Sequence, residues 1–447
     1  MPSPRHYRST QACRETLQPA ACFVEISIRQ NLVWAVNPHS EKSETLQYRL
    51  LFVDDETLVL QGLRRTLHGM RGQWKMTFVD GAEKALEALA QEPYDAIITD
   101  MKMPRMDGAD LLEEVKKRYP AMVRMVLSGQ ANQEAVLRSV GPAHQYLSKP
   151  CNPQELKLRL AQAFEMRDLV HNQKVREAVS GLKSIPSLPG MYQEILDELR
   201  SDDASLERIG RIVSKDAGMA AKVLQLANSA FMGVRYEVSN PTQAVSLIGT
   251  EMVRALVLSV HVFSQFEEQA GPIPYLRDLW EHSIAVGCLA RQIATAEMSA
   301  KRLVEESFTA GLLHDVGKLL LLAQMPTEYK AVLEKMKENA VPLGEVERDQ
   351  FGCTHADLGA YLLSIWGLPQ PLIYAVAYHD RPAKSVEKRV CSLTAVHGAD
   401  AVVSSSHSSL ILQDVHLDQD YLEELGLRER EPAWRRLYSQ QMVGNTV

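Results

Sequence analysis

No stretch of the sequence approaches the ~18 uncharged apolar residues that a membrane span needs, and no basic segment followed by a sustained apolar run opens the chain. The expectation is an unexported, cytoplasmic protein with no membrane partner. Cysteine is scarce: Cys13, Cys22, Cys151, Cys288, Cys353 and Cys391 are scattered, without the paired short spacing of a thiolate metal site or a disulfide framework. Basic charge is short as well. With 49 Lys and Arg against 56 Asp and Glu, the formal net charge is -7, so the whole-chain field repels phosphate backbones. Direct nucleic-acid binding is not expected, and a helix-turn-helix reader is disfavoured because no helix gathers basic residues. At 45% hydrophobic and 23% charged residues, the composition also excludes a largely disordered chain. A length of 447 residues exceeds one core, since single domains mostly hold ~100–200 residues.

Residues 1–47 mix Arg, Ser, Gln and His around one brief apolar alternation at Val24, Ile26 and Ile28, and read as an unstructured extension or as a start site assigned too early. From Leu50 the pattern changes. Short apolar runs at 50–53, 76–79, 96–99, 123–127 and 145–147 have the length of buried strands. Leu60, Leu63 and Leu67, then Ala82, Ala85, Leu86 and Leu89, then Leu111, Leu112 and Val115 recur at helical spacing between them. A last helix opens with Asn152 as N-cap, Pro153 at its first position and Glu155 three residues on, followed by Leu156, Leu160 and Phe164 on one face. Five alternating units predict an α/β doubly wound, five-stranded parallel sheet over 48–168, with its site beyond the carboxyl ends of the strands. Residues 169–183 read as a helical linker, and Pro186 and Pro189 mark a boundary. Beyond it strand signals nearly vanish. Leu206, Ile209 and Val213 share a helix face, and another helix opens at Asn240-Pro241 and stops at Gly249. An all-α domain is expected over 184–392, with a helical extension over 393–447.

Polar residues terminate the strands of the first domain. Asp54 and Asp55 follow the first, Asp100 ends the third, Ser128 the fourth, and Lys149-Pro150 follows the fifth. Three carboxylates on one rim repel one another, and a hard divalent cation such as Mg2+ resolves the repulsion with oxygen ligands. A cation there would neutralise an incoming phosphoryl group, and phosphoryl transfer to a carboxylate needs positioning and charge neutralisation above all. Lys149 can add positive charge and Ser128 a hydroxyl donor. The runs Phe52-Val53-Asp54-Asp55-Glu56, Thr99-Asp100-Met101-Lys102-Met103-Pro104, Asp107-Gly108, Leu127-Ser128-Gly129 and Tyr146-Leu147-Ser148-Lys149-Pro150 resemble the receiver (CheY-like) domains of two-component response regulators. The resemblance implies that Asp100 is phosphorylated by a sensor histidine kinase, that Asp54, Asp55 and Asp100 bind Mg2+, that Ser128 and Lys149 sense the phosphoryl group, and that Tyr146 is a rotameric switch. Any one of these residues alone is more often a turn former, cap or core residue.

In the helical half, His314-Asp315 lies within Gly311-Leu312-Leu313-His314-Asp315-Val316-Gly317-Lys318, with His282 upstream and Asp400 downstream. Imidazole and carboxylate ligands from distant helices suit a borderline divalent metal such as Fe, Mn or Zn, and a metal so held can drive phosphoester hydrolysis. His355 and His379, with Asp380 beside them, offer a second metal position, and Lys318 a phosphate contact. The ligand order is similar to that of the HD superfamily of phosphohydrolases. Leu188-Pro189, Ser214-Lys215-Asp216, Leu226-Ala227-Asn228-Ser229-Ala230-Phe231 and Trp366-Gly367-Leu368-Pro369 narrow the resemblance to HDOD, the HD-related output domains. Many members of that family have lost metal ligands and serve as signalling outputs. The related HD-GYP enzymes carry a Gly-Tyr-Pro loop after a His-His pair, whereas His379 is followed here by Asp380-Arg381-Pro382.

The expectation is a response regulator in which phosphorylation of Asp100 controls, through the connector, a helical output that binds a downstream protein or a nucleotide ligand without turnover of its own. The alternative is a receiver-gated, metal-dependent HD phosphohydrolase acting on a nucleotide or cyclic dinucleotide. A homodimer is among the assemblies considered.

Overall fold

The computed structural model describes residues 48–128, 142–149, 152–181, 194–195, 198–199, 201, 204–228, 236–258, 275–298, 300–339, 341–406, 409–412 and 415–444. The extension expected over 1–47, the Pro186 and Pro189 boundary and Pro150 lie outside the described residues, as does the Ser128 side chain.

Five strands form one parallel sheet: β1 Tyr48–Val53, β2 Trp74–Val79, β3 Ala96–Asp100, β4 Val123–Ser128 and β5 Gln145–Ser148, in the order β2-β1-β3-β4-β5. The register pairs Val53 with Thr99 and Ser128 with Ser148, so the strands end along a common rim. Helices cover both faces, which is why the strands read as continuous apolar runs rather than alternating ones. Leu50 and Phe52 face α1 (Thr57–Thr66) and α4 (Pro153–Asp168), whereas Leu51 and Val53 face α2 (Ala82–Gln91) and α3 (Gly108–Arg118). Asn152 caps α4 by accepting from the Gln154 amide at 3.0 Å.

After α5 (Gln173–Gly181) the described chain is helical: α6 Leu206–Val213, α7 Ala217–Ala227, α8 Pro241–Leu258, α9 Leu276–Glu297, α10 Lys301–Leu313, α11 Val316–Gln324, α12 Pro326–Asn339, α13 Leu343–Phe351, α14 His355–Ile365, α15 Gln370–Tyr378, α16 Ser392–Ser404, α17 Gln419–Glu424 and α18 Glu431–Gly444. The stop expected at Gly249 is a break inside α8, where φ is 78° and ψ 162°, after which the helix resumes. Helix α16, read from the sequence as part of an extension, packs against α9, α10 and α15 and is buried throughout. Among the described residues, no helix is long and apolar enough to cross a membrane.

The α4 side of the sheet and the helical half share one apolar cluster, running from Leu50 and Phe164 through Leu362 to Trp434. Polar contacts reinforce it. Arg124 on β4 is fully buried, and its guanidinium donates to the carbonyls of Pro142 (2.8 Å), Pro120 (3.0 Å), Met122 (2.9 Å) and, in α5, Ser180 (2.6 Å). Burial lowers its pKa to about 10, so the group stays charged at neutral pH. Arg124→Met keeps the aliphatic stem but withdraws a donor from each of those carbonyls. We expect a loss of about 3–5 kcal/mol, read as a lower urea midpoint at unchanged slope.

Candidate functional site

The first site lies on the rim where the strands end. Lys149 Nζ sits 2.6 Å from Asp54 Oδ2 and 2.6 Å from Asp100 Oδ1, bridging the ends of β1 and β3 from the residue after β5. The other carboxylate oxygens are held by the main chain: Asp54 Oδ1 accepts from the Glu56 amide and Asp100 Oδ2 from the Lys102 amide, both at 3.0 Å. Asp54 is buried, Asp100 nearly so, and Asp55 is exposed beside them. Burial raises the Asp100 pKa, partly offset by Lys149. Burial pulls Lys149 the other way, but its bonds to Asp100 and Asp54 outweigh it and raise its pKa. Ser128 terminates β4 next to β3. Tyr146 is 4% exposed and packs with Ile97 and Val126 on the α3 side of the sheet. This donor set fits Mg2+, because carboxylate oxygens from two strand ends converge and Asp55 adjoins them.

The second site is built where six helices meet. Gly311 lets α10 cross α9 closely, since a Cβ there would lie 2.8 Å from Gly287 Cα. That crossing brings His314, at the end of α10, to His282 of α9, with 3.3 Å between their Nε2 atoms. Gly317 does the same one turn on, where a Cβ would overlap the His355 carbonyl. His282 Nε2 lies 3.1 Å from Asp400 Oδ1 and 3.9 Å from Asp315 Oδ2, and His314 Nε2 lies 3.7 and 3.4 Å from the same two atoms. On the other side, His355 Nε2 and His379 Nε2 lie 3.5 and 3.7 Å from Asp315 Oδ1, and His379 Nε2 is 4.0 Å from Asp400 Oδ2. All six side chains are buried. Asp315 thus faces one imidazole pair with each oxygen.

The far ring nitrogens of His314, His379 and His355 are fixed. Nδ1 of His314 donates to the Gly311 carbonyl (2.6 Å) and Nδ1 of His379 to the Val376 carbonyl (2.8 Å), which leaves Nε2 as the lone-pair nitrogen in the neutral rings. His355 Nδ1 meets Glu347 Oε2 at 2.7 Å, and the same oxygen accepts from the His355 amide. Tyr329 donates to Glu347 Oε1 at 2.8 Å. Burial lowers His282 and brings His379 down to about 4. Burial acts likewise on His314 and His355, but Asp315 and Asp400 raise the first, and Glu347 the second. Asp315 is held well below the usual carboxylate range against the cost of burial, chiefly by His314 and Lys318. Lys318, read from the sequence as a phosphate contact, is buried with Nζ 2.8 Å from Asp315 Oδ2.

Asp315 Oδ1, Asp400 Oδ2 and His355 Nε2 are buried without a hydrogen-bond partner. Each such atom costs about 1–3 kcal/mol, and all three belong to two His and Asp groups joined through His379, so the set fits divalent cations with nitrogen and oxygen ligands. Glu347 is the site residue that the sequence reading missed. Its signal was a carboxylate on the buried face of α13, in register with Leu343, Val346 and Phe351.

A family model described as "Response regulator receiver domain" matches residues 50–161, and one described as "HDOD domain" matches residues 185–382. An uncharacterized protein of Treponema pallidum is 26% identical over 201 residues, 44% of this chain and 38% of that protein. The hydrogenase transcriptional regulatory protein HoxA of Cupriavidus necator is 36% identical over 125 residues, 28% of this chain and 25% of that protein. The chain therefore spans between a quarter and two fifths of the length of these two relatives. Among solved structures, the MmoQ response regulator of Methylococcus capsulatus is 27% identical, with a TM-score of 0.41, over 56% of this chain and 96% of that one. The chain thus carries a receiver domain whose strand ends bear the acidic rim, followed by an HDOD domain, a pairing that supports a two-component response regulator.

Proposed function

We propose that Asp100 accepts a phosphoryl group from a sensor histidine kinase, and that the helical domain is a signalling output organised around a buried divalent-metal centre. The observation that carries the first half is the position of Lys149 Nζ, 2.6 Å from both Asp54 and Asp100. Asp54, Asp55 and Asp100 would hold Mg2+, which supplies positive charge to phosphoryl oxygens when bound. Asp100 Oδ1 is the nucleophile. Lys149 transfers its hydrogen bond from that oxygen to the phosphoryl group, Ser128 is assigned as a second donor, and Tyr146 as the residue that repacks. Acetyl phosphate with Mg2+ tests the reading: one hydroxylamine-sensitive acyl phosphate per chain is expected, and none would refute it.

His282, His314, Asp315 and Asp400 would hold one metal (Fe, Mn or Zn), and His355 and His379 a second beside the shared Asp315. Burial of all six residues favours a closed, structural centre over an open catalytic one. The output would then act on a downstream protein or nucleotide by its shape. One observation favours a second reading, the receiver-gated phosphohydrolase: two ligand sets that share a carboxylate are the arrangement of two-metal hydrolysis. Bound metal supplies Lewis acidity in that case.

Glu347 orients His355 in either reading. Glu347→Gln is expected to weaken metal binding about 10–100-fold, measured by chelator competition, with the fold retained in circular dichroism.

A further inference from the structure

The helix that presents His355 at one end is gripped by the receiver at the other. Helix α14 has 11 residues, every one of them buried, and spans about 16 Å at 1.5 Å per residue. At its C-terminal end Gln145 Nε2, on β5, donates to the Ser364 carbonyl at 2.8 Å. Arg159 Nη1, on α4, donates to the Gly367 carbonyl at 2.8 Å. Gly367 has φ +69°, and a Cβ there would come within 2.7 Å of Arg159 Nη1 and 3.1 Å of Gln145 Cδ, so the receiver side chains seat directly on this turn. Midway, the Tyr361 hydroxyl shares a 2.7 Å hydrogen bond with Ser180 Oγ of α5. Gln145 opens the strand that leads to Lys149, whose ammonium touches Asp100.

We propose that α14 is the link through which the state of Asp100 sets the metal affinity of the His355 and His379 position. The proposal rests on the metal reading above. A helix packed on all sides cannot bend locally without overpacking its neighbours, so a small shift at β5 moves it as a body. Metal–ligand distances tolerate only about 0.2 Å, and a sub-ångström displacement of His355 Nε2 against Asp315 is enough to change affinity. The route is direct docking of β5 and α4, with α5 as a brace, rather than relay along the connector alone.

The test uses the full chain, saturating Mg2+ for the receiver, and beryllofluoride as a stable phosphoryl mimic. Co2+ is titrated and followed by the intense, shifted visible d–d absorption of low-coordinate, imidazole-bound cobalt, against which an all-oxygen octahedral site such as the receiver's absorbs only weakly. Beryllofluoride is expected to change the Co2+ affinity by a factor of about 5–150. By reciprocity Co2+ changes the beryllofluoride affinity by the same factor, a measurement that needs no variant. In Gln145→Ala/Arg159→Ala the unloaded affinity should persist while the change disappears. Equal Co2+ affinity in both states of the wild type would overturn the coupling and leave the metal reading standing. A full-sized change retained in the double variant would overturn the route through α14. A chain that binds no imidazole-ligated Co2+ in either state would remove the metal reading, and the coupling with it.

Discussion

Asp100→Asn reduces acetyl-phosphate labelling to the blank level while the protein stays folded. The loss is total because the side-chain oxygen that attacks phosphorus is replaced by an amide with no comparable nucleophile. Folding survives because the substitution is isosteric. Its remaining oxygen can keep the 3.0 Å bond from the Lys102 amide, and removing one of two carboxylates that crowd Lys149 relieves repulsion with Asp54. Labelling measured beside thermal unfolding checks both halves. Stoichiometric labelling of the variant would move the acceptor elsewhere, Asp54 and Asp55 being the nearest alternatives.

Asp315→Ala removes tightly bound metal from the helical domain, with an affinity loss of more than about 100-fold, beyond what orienting partners alone contribute. Among the described residues, Asp315 is the one carboxylate within 4 Å of all four imidazoles, so its deletion takes a ligand from both positions at once. Lys318 also loses its 2.8 Å partner, and a buried ammonium left unpaired adds a stability cost of about 3–5 kcal/mol. Asp315→Asn separates the two effects by keeping the volume and an acceptor. Metal content by elemental analysis, run beside hydrolysis of cyclic dinucleotides and a generic phosphodiester, then decides between the two readings. Metal without turnover supports the signalling output. Turnover that Asp315→Ala abolishes makes the domain a phosphohydrolase.

The receiver was legible from sequence because its determinants are local. Each strand is a short apolar run, buried on both faces in β3 and over Leu50–Val53 of β1, and each polar group of the rim follows such a run directly. In the helical half, the joint presence of His282, His314, Asp315 and Asp400 was legible as a ligand order, and the structure brings these four together with His355 and His379. Glu347 was not read out, because its use depends on how α13 turns through Gly352 to set it under the first turn of α14. No periodicity carries that information. The docking of the receiver was invisible for a related reason: Gln145 and Ser364 are 219 residues apart, and a Gln at a strand start looks like any other. The sequence therefore pointed to the connector as the route of the signal; the contacts include the connector helix α5, through Ser180, and add β5 and α4, through Gln145 and Arg159.

The shared apolar cluster changes what modularity means for this regulator. Leu160 and Phe164 of α4 belong to the same cluster as Leu362 of α14, and residues 47–447 form one compact unit. Severing the chain at α5 would leave two complementary greasy faces in water, so the receiver is not a cassette that can be exchanged for another by splicing at a linker. A chimera that keeps its solubility has to carry over the sides of β5 and α4 that meet α14 along with the acidic rim, and selection acting on signalling is thereby tied to selection on cohesion.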